Sequence, residues 1–175
     1  MMRKLGVSAG KILCGGALLL VLSGCFYSKR SLMDDSLSSI PFANGTYCKY
    51  RQDSDRLEWQ KTCERVRLER QGNTAMLYED DKTTEIKAYS GPVISGMFKG
   101  YRIIEACEVP GEKDENNCQF VVFKMIDGDV HVRVPSCTSS EGESCVKTRF
   151  SEIVQGIEST TSQHRGEALK YVKSS

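Results

Sequence analysis

Cysteine is the residue whose spacing carries the most chemistry in this 175-residue chain, which holds eight of them. Two, Cys14 and Cys25, lie in or at the end of an apolar amino-terminal run, and six follow: Cys48, Cys63, Cys107, Cys118, Cys137 and Cys145. An even number of thiols in an exported chain oxidises to disulfides by default. Six cysteines allow 15 connectivities, but each consecutive pair here flanks a polar, turn-rich stretch: 51–58, 111–117 and 138–144. Cysteines equidistant from a hairpin turn face each other across two strands, within the Cα separation of about 4.4–6.8 Å that a bridge needs. The spacing therefore predicts Cys48–Cys63, Cys107–Cys118 and Cys137–Cys145. Each closes a short loop, contributing about 2–3 kcal/mol by restricting the unfolded chain. A zinc site or a redox pair would call for Cys-x-x-Cys or histidines at ligand spacing, and neither motif occurs.

The other reactive side chains do not assemble into a catalytic pattern. His131 lies on the polar side of an alternating segment with no nucleophile assigned to it, and His164 lies in a polar tail. Glu58, Asp80, Asp81, Glu112, Asp114, Glu115, Glu141 and Glu143 fall in predicted turns, where carboxylates are solvated, so no acid pair for glycoside cleavage emerges. Asp127-Gly128-Asp129 lacks the further ligands of a calcium loop. The sequence thus predicts no enzyme, no cofactor and no metal. Ser95–Tyr101 (SGMFKGY) is the one apolar loop among glycines; Met97, Phe98 and Tyr101 make it a candidate recognition patch, or else a plug folded under one end of the domain.

The elements that must position these residues are mostly strands. Val66 and Leu68 alternate with Arg65, Arg67 and Glu69, and Val130, Val132 and Val134 alternate with His131 and Arg133. Strands are predicted at 46–52, 64–71, 75–79, 83–89, 101–109, 119–126 and 130–134, with a further one at 146–150. Gly72-Asn73, Asp80-Asp81-Lys82 and Asp127-Gly128-Asp129 provide hairpin turns. Toward the carboxyl end the period changes. Ser151 is placed to cap a short helix through Ile157, and Ala168, Leu169 and Val172 stand at helical spacing, predicting one or two short helices. The expected fold is mainly β, a small antiparallel meander, barrel or sandwich of about seven or eight strands.

Charge and hydropathy set the remaining boundaries. Of the net charge of +1, Arg3, Lys4 and Lys11 contribute +3 with no acid among the first 24 residues, so the rest carries −2. A nearly neutral domain has no basic face for nucleic acid. Ile12–Leu22 (ILCGGALLLVL) is an apolar run of eleven behind that positive start. It is too short for a permanent membrane helix, which needs about 20 residues, and it suits a signal peptide. The organisation expected is a signal peptide over 1–24, an anchored Cys25 with a flexible Ser-rich tether to Pro41, a disulfide-stapled domain over 42–160, and a polar tail or short helix over 161–175.

The run ends in Leu22-Ser23-Gly24-Cys25, which resembles the lipobox of bacterial lipoproteins at all four positions. That resemblance implies diacylglycerol on the Cys25 thiol, cleavage before it and acylation, commonly palmitoyl, of the new amine. Each buried methylene contributes about 0.8 kcal/mol, so two or three chains anchor a protein durably. Phe26 after the cysteine, rather than Asp, implies sorting to the outer membrane, facing the periplasm or the cell surface. The opening Gly45-Thr46-Tyr47 strand with a late helix resembles calycin-type barrels such as lipocalins in pattern, without a Gly-x-Trp signature, since Trp59 stands in a predicted loop. Tyr47-Cys48 and Ser95-Gly96 resemble pieces of the small lysozyme-inhibitor lipoproteins. The expectation is a non-enzymatic envelope lipoprotein that binds an envelope or host protein or a small ligand. The rival expectations are an outer-membrane assembly factor and a hydrolase.

Overall fold

A computed structural model describes residues 26–52, 58–80, 82–109, 117–135, 137, 145–160 and 168–174. The described residues form nine strands and one α-helix: β1 (Phe26–Ser28), β2 (Gly45–Arg51), β3 (Glu64–Gln71), β4 (Thr74–Glu79), β5 (Lys82–Ala88), β6 (Arg102–Glu108), β7 (Cys118–Ile126), β8 (Asp129–Arg133), α1 (Phe150–Ser159) and β9 (Ala168–Lys173). Every strand pairing is antiparallel. The order β7-β6-β5-β4-β3-β2-β9-β8 closes on itself because β8 also pairs with β7, giving an eight-stranded barrel with β1 outside the ring.

Alternation decides which side of the wall each residue faces. Val66 and Leu68 of β3 point inward, as do Leu77 of β4 and Val130 and Val132 of β8. Their neighbours Arg65, Arg67, Lys124 and Arg133 are exposed. The turns carry the left-handed backbone that hairpins joining right-twisted strands require. Gly72 has φ of +63°, and Asp127 and Gly128 have φ of +53° and +87°. Phe42 plugs one end of the barrel, edge-on to Phe123 with ring centroids 5.3 Å apart, and Tyr47 Oη behind it donates to the Ala43 carbonyl at 2.8 Å.

A second apolar cluster lies outside the wall. Phe120 and Val122 of β7 and Ile103 of β6 point outward, and Phe26, Ile94, Phe98, Ile153 and Ile157 cover them. Gly156 of α1 makes this possible, since a Cβ there would stand 2.5 Å from the Phe26 ring.

Four expectations change. Residues 168–173 form a strand rather than a helix, because β2 and β8 both present open edges there, and pairing them closes the barrel. Only Val146 of 146–150 makes a strand-like bridge, to Tyr27, and Phe150 already begins the helix. That helix starts one residue before Ser151, with Arg149 as its cap residue. The Glu152 carboxylate accepts from the backbone N–H groups of Thr148 and Arg149 at 3.2 and 3.3 Å.

The fourth change is the segment expected to be a flexible tether, which is bound to the barrel. Tyr27 pairs with Gln119, Met33 and Ile40 are each 2% exposed, and a 3-10 turn spans Asp35–Leu37. Ser38 fixes it in place. Ser38 Oγ donates to the Asn73 carbonyl at 2.6 Å and accepts from the Ala88 N–H at 3.1 Å. The domain therefore includes 26–41 and the strand at 168–173.

Candidate functional site: an apolar cavity inside the barrel

The inward residues do not fill the barrel. They enclose a cavity of about 110 Å³. Val66 and Leu68 of β3, Leu77 of β4, Ile86 of β5, Ile104 of β6 and Val132 of β8 form its wall, and Leu169 and Tyr171 complete it from β9. An eight-stranded barrel is just wide enough for its side chains to fill it or to leave room for one small ligand. For scale, an apolar cavity of about 150 Å³ stays dry and takes up benzene.

One end of the cavity is polar. Glu79, at the end of β4, Thr84, near the start of β5, and Gln119, near the start of β7, are its polar lining side chains. Lys49, in phase with Tyr47 on the inward side of β2, stands beside them with its side chain only 5% exposed. Its Nζ contacts the carboxylates of Glu79 and, at 2.9 Å, of Glu64. Arg51 reaches the same Glu64 at 3.6 Å, and Lys82 faces Glu108 at 3.9 Å. The Lys49 hydrogen bond, helped by the Lys49 and Arg51 charges, holds the Glu64 carboxyl below its ordinary pKa of 4.5 against the opposing pull of burial. The rim at this end is a set of matched ion pairs.

The six cysteines pair as the spacing predicts, with S–S distances of 2.10 Å for Cys48–Cys63, 2.00 Å for Cys107–Cys118 and 2.12 Å for Cys137–Cys145. Cys107 and Cys118 are direct register partners across β6 and β7. Glu105 brings a carboxylate oxygen close to these two sulfurs. The sulfurs are bonded to each other, and the carboxylate instead accepts from Ser31 Oγ at 2.7 Å and from the Leu32 and Met33 N–H groups at 2.6 and 3.2 Å.

The remaining candidates scatter. Phe98 is buried beneath α1, and Met97 and Tyr101 pack on the same cluster. The loop therefore closes over the outer wall, and Phe98 is withdrawn from any partner. Ser95 ties it to the helix through Glu158, which accepts from its N–H at 3.1 Å and its hydroxyl at 2.9 Å. His131 sits edge-on to Trp59 with ring centroids 6.0 Å apart, and Lys170 lies over the Trp59 ring at 5.3 Å. Burial first, and the Lys170 charge second, press the His131 pKa below 6.5. Asp80 and Asp127 occupy left-handed turn positions, and Glu58 is exposed. Cys25, Asp81, Glu112, Asp114, Glu115, Glu141, Glu143 and His164 lie outside the described residues.

Sequence reading singled out none of Lys49, Glu79, Thr84 and Gln119. The signal for them is phase. Each shares the inward parity of an apolar neighbour on its strand, namely Tyr47, Leu77, Ile86 and Val121. The chain matches no protein-family model, no curated protein and no solved structure. The closed antiparallel barrel is consistent with a calycin-like architecture at the level of fold alone.

Proposed function

We propose that this protein is a lipid-anchored envelope lipoprotein whose barrel binds a small, largely apolar ligand. The observation that carries the reading is the apolar cavity of about 110 Å³ left open inside a wall of inward-facing aliphatic side chains. A barrel built only as scaffold gains by filling such a space, because each unfilled methyl-sized void costs about 1 kcal/mol. The Leu22-Ser23-Gly24-Cys25 motif supports attachment through diacylglycerol on Cys25, and Phe26 supports the outer membrane. The apolar interior and the charged outward residues Arg65, Arg67, Glu69 and Glu85 are the reverse of a barrel that spans lipid, which suits a domain held at the membrane rather than within it. A hydrolase reading would need His131 beside a nucleophile; the Trp59 indole stands edge-on to its ring, and the charges acting on it are those of Lys170, Asp129, Arg133 and Asp127.

Two measurements test the reading. Mass spectrometry of the protein from its native membrane should place a diacylglyceryl group on Cys25; an unmodified cysteine, or a chain beginning elsewhere, would remove the anchor. Toluene, as a neutral probe without a polar group, should raise the unfolding temperature in a saturable way. At a hundred times the dissociation constant a ligand adds about 2.7 kcal/mol. Absence of any shift at saturating toluene would remove the ligand reading.

A further inference from the structure

Resting on the ligand reading above, the charge arrangement at the polar end of the cavity restricts what can occupy it. The charged groups there form ion pairs: Lys49 with Glu64 and Glu79, Arg51 with Glu64, and Lys82 with Glu108. An anionic head group would have to take Lys49 from its carboxylates, and a cationic one would have to take Glu79 from Lys49. Either step disturbs the Lys49–Glu79 pair, whose side chains are only 5% and 16% exposed, and removing one partner from such a shielded pair is strongly unfavourable.

Thr84 and Gln119 are different. They line the same cavity, and neither side chain makes a hydrogen bond to another described residue. A threonine hydroxyl donates one hydrogen bond and accepts two, and a glutamine amide donates two and accepts two. Both stand with Glu79 at the polar end of a wall otherwise made of aliphatic and aromatic side chains. A site built to hydrogen-bond a hydroxyl or amide discriminates by far more than an apolar pocket can, because its polar groups go unpaired when the wrong ligand enters.

We propose that the cavity takes an uncharged amphiphile, with its apolar body among Leu68, Leu77 and Ile104 and its hydroxyl or amide on Thr84 and Gln119, and that it excludes the corresponding carboxylate and ammonium ions.

The test uses the full-length protein in detergent at pH 7. Isothermal titration calorimetry would compare hexan-1-ol, hexanamide, hexanoate and hexylammonium, with toluene as the neutral apolar reference. The expected result is that the alcohol and the amide bind at least tenfold more tightly than either ion. The double variant Thr84→Val/Gln119→Leu should weaken the alcohol at least fivefold while toluene binding persists, which also reports that the barrel is intact. The single variant Glu79→Gln should improve hexanoate binding, because Lys49 loses one of its two carboxylates. If toluene binds and the four probes bind equally, or hexanoate binds best, the selectivity is overturned and the ligand reading stands. If neither toluene nor hexan-1-ol binds, both fall together.

Discussion

Glu105 shows how much one side chain can organise. Its carboxylate is fully buried, and a buried charge is tolerated only when hydrogen bonds replace its water. Ser31, Leu32 and Met33 supply those bonds from a stretch 72–74 residues earlier. Lys87 binds the same stretch, donating to Ser31 Oγ and the Met33 carbonyl, both at 3.1 Å, and pairing with Asp35 at 2.7 Å. Replacing Glu105 with alanine should lower stability by about 3 kcal/mol, as expected for a broken buried polar network, and Glu105→Gln by less. Urea unfolding measures both. His131 provides a second test at this scale. Burial and Lys170, opposed by Asp129 and Asp127 and aided by Arg133, keep its imidazole below 6.5. Its proton NMR titration should therefore have a midpoint under 6.5, and Lys170→Met should raise that midpoint.

Among the elements, α1 depends on a residue that its own sequence would not select. Glycine is a poor helix former, yet Gly156 is where Phe26 of β1 rests. Gly96 meets the same carboxyl-terminal half of the helix, with φ of +70° and a position where a Cβ would stand 2.7 Å from the Glu158 carbonyl oxygen. Both glycines let the outer layer lie close to the barrel wall. Gly156→Leu should lift α1 from β1 and destabilise the protein by about 1–3 kcal/mol, the usual cost of overpacking. Hydrogen exchange should then accelerate in α1 and β1 and leave β3 and β4 unchanged. A uniform acceleration would mean that the outer layer and barrel open as one unit.

For the whole molecule, two charged groups set opposite limits on stability. Glu64 is held below pKa 4.5 in the fold, chiefly by its hydrogen bond from Lys49. Its contribution is complete above pH 4.5 and is lost as pH falls through the lower folded value. Burial disfavours the charge on Lys87, but Asp35, Glu85 and Glu105 outweigh it and keep its pKa above 10.5. That contribution is complete below pH 10.5 and is lost as pH rises through the folded value. Denaturation midpoints should accordingly fall below about pH 4.5 and above about pH 10.5. Lys49→Met should flatten the acid limb, and Asp35→Asn should weaken the alkaline one.

Local pattern carried most of the wall. Alternation in 64–71 and 130–134 and the turn residues between strands made β3, β4, β5, β7 and β8 legible, because period-2 burial and left-handed turn chemistry are properties of neighbours in the chain. Cysteine spacing made the three bridges legible for the same reason, since each joins residues separated by 15, 11 or 8 positions. What tertiary structure alone decided involves distant partners. The 168–173 segment has spacing compatible with a helix, and it became a strand because two open edges awaited it. The serine-rich stretch 28–38 has the composition of a linker, and Ser31 and Ser38 fix it to Glu105, Ala88 and Asn73. The cavity and its paired rim exist because closing the ring brings Lys49, Glu79, Thr84 and Gln119 from four strands to one end. No local rule in the sequence encodes that closure.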